Sequence, residues 1–514
     1  MLLFVNDGMQ INKSGIEFAQ IQRLNLFKQY HEPAMIVTRQ YSNELHYIIQ
    51  ESGIDEEHFV NMFDYFQHAR LVDAHPVVAD DIQVNPNWQK KIDGQNIVYS
   101  QDGSIVLIIR CKSKDDPTVL NLQTFDHFGK LLKITWYDTR GFVSVEHLFD
   151  WKNKVEAENY FTPDGKLAIQ KTTLLNKQGA KVENYHLFDY KGADYQFAGL
   201  DEFTRFFLDE LVADKAICGD GPVGIIVDRN FENAWSVLHM HTRVPRYMQL
   251  HSIQVNDASD IMNSTFNYNY EWGFHHLTDW DGIIALTPQQ EVDVRLRFGK
   301  YGVPIFHVPS AVVSDEQINA PHVPFANRKK HKVVVVARLS PEKQQEHIIA
   351  AWPQILKAVP DATLDLWGYA NDAYDVKLRK QIKKLGLEDS VSLKGFTSNI
   401  AKVDDEAQLM VLPTSSEGLA IALVEAEAHG LPMVANDVKY GPGDIIIDSR
   451  DGLLTKNGDI DGLATAVIKL LTDEKKLAEM SKNAYEDSKR YSGPVVMKLW
   501  QKVIDDVKDK GANK

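Results

Sequence analysis

Cysteine is nearly absent from this chain of 514 residues, where Cys111 and Cys218 are the only two. They lack metal-ligand spacing and form no disulfide framework, which fits a reducing cytoplasm. Long apolar runs are missing as well. No stretch approaches the about 20 apolar residues needed to span a bilayer. The apolar opening Met1 to Val5 is far too short for a signal h-region, and Asn6 and Asp7 follow at once. The expectation is a soluble cytoplasmic protein, associated at most peripherally with the inner face of the membrane. Positive charge is in deficit, with 56 Lys and Arg against 71 Asp and Glu, for a formal net charge of −15. That excludes a general affinity for nucleic acid or anionic lipid. It leaves room for a local basic groove that takes an anionic substrate. Candidates are Arg243 with Arg246, and the run Lys329, Lys330, His331, Lys332, although each also reads as a solvated face.

What is present is ordinary globular material, with 44% hydrophobic and 25% charged residues. The length exceeds one core, so two or three domains are expected. Leu2 to Val5 reads as a buried strand, followed by the loop Asn12-Lys13-Ser14-Gly15. A helical pattern through Ile16, Phe18, Ala19, Ile21, Leu24 and Phe27 comes next, and then a strand at Ala34 to Thr38. From about residue 69 to 195 the character changes. Turn signals recur at Asp102-Gly103, Phe128-Gly129, Arg140-Gly141, Asp164-Gly165, Gln178-Gly179 and Lys191-Gly192, with β-rich runs between several of them. This predicts a meander of antiparallel hairpins inserted in the first α/β domain, serving oligomerisation or a large acceptor.

Strands and helices then alternate again. Ile225 to Val227, Ser236 to His239, Gly282 to Leu286 and Ile305 to Val308 are expected to complete the first sheet. Val333 to Val336, Leu364 to Leu366, Val391 to Leu393, Leu409 to Leu412 and Met433 to Ala435 predict a second doubly wound sheet. The expected division is an N-terminal domain at 1–68 and 196–313, the insertion at 69–195, and a C-terminal domain at 314–492. A last helix at 493–514 crosses back.

Two stretches carry chemistry. Thr414 to Ala426 follows a buried strand and opens a helix. Gly418 there allows close approach of an anion to backbone amides, a setting suited to a diphosphate. Glu417 and Glu425 are eight residues apart, on the order of 12 Å along a continuous helix, which matches the span from hexose to ribose in a nucleotide sugar. The second stretch is Arg338-Leu339-Ser340-Pro341-Glu342-Lys343, just after the strand at Val333. Arg338 at the strand end and Lys343 in a first helical turn would aim two cations at one crevice, and a cation at a helix start calls for an anionic partner.

Arg338 to Lys343, with Glu417-x7-Glu425 downstream, resembles the donor-binding signature of GT-B glycosyltransferases of family 4. Trp367-Gly368 and Lys394-Gly395-Phe396 fall where that family places a glycine after the second strand and a base-contacting loop. The N-terminal half narrows the resemblance through Ser14 to Gln20, the β-rich insertion, Asp220-Gly221-Pro222, Val237-Leu238-His239 and Lys439 to Asp444. These are similar to the poly(glycerol-phosphate) and poly(ribitol-phosphate) glycosyltransferases of wall teichoic acid, whose near relatives start O-glycosylation of serine-rich adhesins. Phe4 to Asp7 and Asn61 to Asp64 look more like the teichoic acid branch; Ser14 to Glu17 is shared with the adhesin branch.

The resemblance implies two facing Rossmann-like domains with an all-β antiparallel insertion. It implies a retaining hexosyltransferase that moves glucose from UDP-glucose, or N-acetylglucosamine from UDP-N-acetylglucosamine, to an anionic teichoic acid polymer or to a Ser/Thr-rich protein. Arg338 and Lys343 would hold the diphosphate, Glu417 the sugar hydroxyls and Glu425 the ribose. Gly418, Leu419 and Gly368 would line the donor site, and Phe396 with Thr397 would contact the base. Gly15 and His239 would approach the donor from the N-terminal domain. Asp220, His241, Arg243, Arg246 and Lys439 are acceptor candidates. No cofactor is expected, no metal site of the Asp-x-Asp type is assigned, and a homo-oligomer formed through the insertion is expected. A non-catalytic, glycosyltransferase-like partner subunit is a further alternative, one that would be expected to have lost these donor residues.

Overall fold

The computed structural model describes residues 1–370 and 373–512. The chain divides into two compact units, one made of Met1–Glu17 and Pro33–Val244, the other of Phe18–Glu32 and Pro245–Lys514.

In the first unit, parallel strands lie in the order Gly224–Val227, Leu2–Asn6, Ala34–Thr38, Phe59–Asn61. Their residues are buried throughout, as near-continuous apolar strands under crossover helices should be. The same unit carries a ten-stranded antiparallel meander from Gln89–Asp93 to Ala193–Phe197, in which spatial order follows chain order. Each glycine turn expected from the sequence joins two consecutive strands. Turn chemistry repeats along one edge. The Oδ1 atoms of Asp126, Asp150 and Asn176 each accept from the backbone amides two and four residues on, the local bonding that favours Asp and Asn in turns.

A buried ionic cluster pins the meander to the parallel strands. Arg140 bonds Asp138 at 2.7 Å and Asp64 at 3.3 Å. His46 places its two ring nitrogens 2.8 Å from Asp64 and 2.8 Å from Glu56.

The second unit holds parallel strands Arg246–Gln249, Gly282–Ala285 and Ile305–His307. It also holds a six-stranded parallel sheet in the order Val391–Gly395, Thr363–Trp367, Lys332–Val336, Leu409–Leu412, Met433–Asp437, Gly452–Lys456. That is the doubly wound order, and its direction reverses between Lys332–Val336 and Leu409–Leu412. The last helix, Gly493–Ala512, returns toward the strand Arg246–Gln249. Asp506 accepts from the Tyr247 hydroxyl at 2.5 Å, and Lys510 donates to the Asp281 carbonyl at 2.9 Å.

Three expectations need correction. Ser236 to His239 is not a strand; it ends the helix Asn230–Leu238, whose Asn233, Ala234, Ser236 and Val237 face inward. Lys343 lies not in the α-helix Gln345–Ala358 but in a short 3-10 turn, Pro341–Lys343, separated from it by Gln344 in left-handed conformation. The helix after Leu409–Leu412 begins at Ile421 rather than Gly418, because Ala420 has φ 66°. The continuous-helix spacing of Glu417 and Glu425 therefore does not apply.

Candidate functional site

The reversal of strand order opens a crevice at the carboxyl ends of Lys332–Val336 and Leu409–Leu412, the usual place for a ligand in such a sheet. Three loops run side by side there. Ala337 donates to the Trp367 carbonyl at 3.1 Å, Leu339 to the Tyr369 carbonyl at 2.8 Å, and Gly368 to the Gly395 carbonyl at 2.9 Å. Phe396, at the end of the third loop, is 46% exposed, with its ring centroid 6.3 Å from that of Tyr369. Thr397 accepts from the Asn399 amide.

Lys343 Nζ donates to Glu417 Oε1 at 2.5 Å, with side-chain exposures of 15% and 10%. One carbonyl fixes this pairing: Glu342 O accepts from the Ser415 amide at 2.8 Å and from the Thr414 and Ser415 hydroxyls at 3.1 Å each. The turn carrying Lys343 is thereby bound to the loop carrying Glu417. Arg338 is half-exposed and pairs with Glu342 at 3.0 Å. Burial pushes the Glu342 carboxyl up, but the Ser340 hydroxyl, a backbone amide, Arg338 and Lys343 outweigh it and hold the group below its ordinary value.

Glycine at 418 is required by packing. A β-carbon there would lie 2.3 Å from the His251 carbonyl oxygen. Leu419 is buried beside it. Glu425, one turn into the helix Ile421–Ala428, borders a cavity of about 30 Å³ with Gln22, Gln317 and the segment 311–313. It is half-buried and makes no side-chain hydrogen bond among the described residues. Burial pushes its carboxyl up to about 7.

The run at 329–332 lies at the amino end of its strand, away from Arg338. It is paired with acids: Lys329 with Glu406, His331 with Asp361, and Lys332 with Asp365 and Glu406. Arg246 is 5% exposed at the start of its own strand. Lys439 pairs with Asp293 at 2.9 Å.

Gly15, Asp220, His239, His241 and Arg243 belong to the first unit. Gly15 opens the helix Gly15–Gln29, where Glu17 accepts from the Ser14 amide and Arg229 reaches both Ser14 and Glu17. His239 is exposed, stacks on Trp235 at 4.2 Å and sets Nδ1 against the Trp235 carbonyl. Asp220 pairs with Lys215, the His241 amide donates to Asp209, and Arg243 is exposed.

Asp-x-Asp spacing does occur, at Asp279-Trp280-Asp281 and Asp459-Ile460-Asp461. Asp281 accepts from the Arg246 amide before its strand begins, and Asp459 caps the helix Ile460–Leu471. The acid–histidine group His46, Asp64, Asp138 already contains the Arg140 guanidinium.

Residues 317–487, which span the crevice, match the family described as "Glycosyl transferases group 1". The match covers that segment, about a third of the chain. Arg338, Lys343, Gly368, Phe396, Glu417, Gly418 and Glu425 all lie within it. Over nearly its whole length the chain is 22% identical to the poly(glycerol-phosphate) alpha-glucosyltransferase of Bacillus subtilis (strain 168), across 97% of this chain and 74% of that one. It is 23% identical to the UDP-N-acetylglucosamine–peptide N-acetylglucosaminyltransferase GtfA subunit of Streptococcus gordonii, across 99% of both. The solved structure of the pneumococcal O-GlcNAc transferase GtfA in complex with UDP and GlcNAc superposes with a TM-score of 0.82 at 19% identity, covering 98% of each chain. The fold is therefore GT-B, two Rossmann-like domains with an antiparallel all-β insertion.

Sequence reading missed His251, whose carbonyl packs against Gly418, and the hydrogen-bonded group Asp293, Tyr440 and Gln254. Only Tyr440 carried a signal, as part of the Lys439 to Asp444 stretch.

Proposed function

We propose that the chain transfers glucose from UDP-glucose, with retention of configuration, to hydroxyls of a poly(glycerol-phosphate)-type teichoic acid. The observation that carries this reading is the Lys343–Glu417 contact at 2.5 Å beside Arg338, at the switch point of the sheet. Two cations and a carboxylate at that place suit a sugar diphosphate, with the cations on phosphate and the carboxylate on sugar hydroxyls.

The acceptor hydroxyl oxygen forms the new bond to the anomeric carbon on the face the diphosphate leaves. The old carbon–oxygen bond breaks with its electron pair going to UDP, and the acceptor proton passes to the departing phosphate oxygen. Arg338 and Lys343 stabilise the charge as it develops. Glu425 accepts from ribose hydroxyls, and the loop at Phe396 and Thr397 borders the base. The scheme uses neither metal nor cofactor. The β insertion serves assembly of a homo-oligomer or holds the polymer.

A second reading changes only the acceptor, to Ser or Thr of a secreted adhesin. Likeness to the GtfA subunits supports it. A non-catalytic partner subunit is disfavoured because Arg338, Lys343, Glu417 and Glu425 are all in place. The test is UDP release from UDP-glucose and UDP-N-acetylglucosamine with teichoic acid polymer or serine-rich peptide as acceptor. Polymer-dependent release supports the proposal and identifies the sugar. Peptide-dependent release moves the protein to the adhesin acceptor, and no release with either returns the partner-subunit reading.

A further inference from the structure

Asp293 sits on the helix Pro288–Phe298, 4% exposed. Its Oδ2 accepts from Lys439 Nζ and from the Tyr440 hydroxyl, each at 2.9 Å, and its Oδ1 from Gln289 Nε2 at 3.0 Å. Tyr440 is fully buried, and its hydroxyl also accepts from Gln254 Nε2 at 2.9 Å. Gln254 in turn accepts from Gln290 Nε2 at 3.2 Å. Tyr440 is thus fixed at its far end by a carboxylate and an amide.

At its near end it meets the donor loop. The Tyr440 amide donates to the Glu417 carbonyl at 3.4 Å, and a β-carbon on Gly441 would lie 2.5 Å from the Leu419 carbonyl oxygen. An apolar pair would fill this space at no electrostatic penalty. A carboxylate gripping two donors from one loop adds direction instead, since charge-assisted bonds are short and geometrically selective.

We propose that Asp293 is a positioning residue: through Tyr440 it sets the backbone of Glu417 and Leu419, and so the aim of the Glu417 carboxylate. The inference rests on Glu417 accepting hydrogen bonds from the donor hexose, as proposed above. Misplacing Glu417 weakens its grip on the hexose while leaving the diphosphate and base contacts unchanged.

The experiment measures calorimetric affinity for UDP and for UDP-glucose, together with kcat and KM for UDP-glucose turnover, in wild type, Tyr440→Phe, Asp293→Asn and Asp293→Ala. Tyr440→Phe keeps the buried ring and loses only the hydroxyl. Its UDP affinity is expected to stay within twofold, while UDP-glucose affinity and kcat each fall about tenfold and Tm moves by only a few degrees. Asp293→Asn, which keeps one acceptor for Tyr440, falls between wild type and Asp293→Ala. Equal losses for UDP and UDP-glucose that track Tm reduce Asp293 to a structural role and overturn the inference. Variants indistinguishable from a wild type that binds UDP-glucose overturn it as well. A wild type that binds no UDP-sugar overturns the donor reading itself.

Discussion

The carbonyl oxygen of His251 occupies the space a side chain at position 418 would need, 2.3 Å from the site of a β-carbon. Glu417 is thereby held between a loop that follows Arg246–Gln249 and the turn that carries Lys343. Gly418→Ala must push one of the two backbones away. It is expected to lower stability by about 1–3 kcal/mol, the usual range for overpacking. The same shift separates Glu417 from Lys343, so UDP-glucose turnover is expected to fall at least tenfold. Thermal unfolding and steady-state turnover of the one variant check both; an Ala variant equal to wild type in Tm and kcat refutes the close approach.

The Lys343–Glu417 pair makes separate predictions for stability and for catalysis. Lys343→Ala strands a carboxylate that is only 10% exposed, and breaking a buried pair from one side destabilises by up to about 3–5 kcal/mol. Adding Glu417→Gln removes the stranded charge, so the double variant is expected to regain most of that stability. Activity does not return, because loss of a charge-stabilising donor lowers kcat by about 100- to 1000-fold. Denaturant midpoints and kcat of the two variants separate the effects. Near-normal turnover of Lys343→Ala removes it from the catalytic set.

The parts of the site that were legible in the sequence are the local ones. Arg338, Lys343, Glu417 and Gly418 follow strands whose apolar runs are plain, and strand ends in doubly wound sheets carry ligands. The antiparallel insertion was legible for a similar reason, since its turns announce themselves through Asp, Asn and Gly. Asp293 was not, because its partner Lys439 is 146 residues away and an Asp on an amphipathic helix looks like any solvated one. Ser236 to His239 misled because Val237 and Leu238 form a short apolar run, and only the inward face shared by Asn233, Ala234 and Val237 marks it as helix. The three strands Phe59–Asn61, Arg246–Gln249 and Gly452–Lys456 are short and carry polar residues within or at their ends, so periodicity gave no purchase on them.

The proposed contact of Glu425 with ribose predicts a pH dependence of donor binding. Its carboxyl is pushed up to about 7 by burial, and a carboxylate accepts from two ribose hydroxyls better than a carboxylic acid does. UDP-glucose affinity is therefore expected to rise with pH, by somewhat under tenfold between pH 6 and pH 8, as the ionised fraction grows. Glu425→Gln should bind weakly and without that slope. Calorimetric titration of UDP-glucose at three pH values decides it; a wild-type affinity flat across this range excludes Glu425 from the ribose contact.

Stability should move against pH over the same range, and the sign is the same for two unrelated groups. For His46, burial and the Arg140 charge push the ring down, but the hydrogen bonds to Asp64 and Glu56 and the charge of Asp64 prevail and raise it above its ordinary 6.5. Its contribution is complete below 6.5 and is lost as pH climbs through the raised value. Glu427 is fully buried, and burial lifts its carboxyl to about 8 from 4.5 despite the Arg490 guanidinium beside it. The folded state thus keeps a proton that the unfolded chain releases from pH 4.5 upward, so stability declines steadily between 4.5 and 8. Together these are worth on the order of a few kcal/mol, and Tm should fall as pH is raised from 5 to 8.5. His46→Gln should flatten the upper part of that decline, and Glu427→Gln the part between 4.5 and 8. A Tm that rises with pH across this interval, or variants that decline in parallel with wild type, would show that neither group keeps its proton in the folded protein.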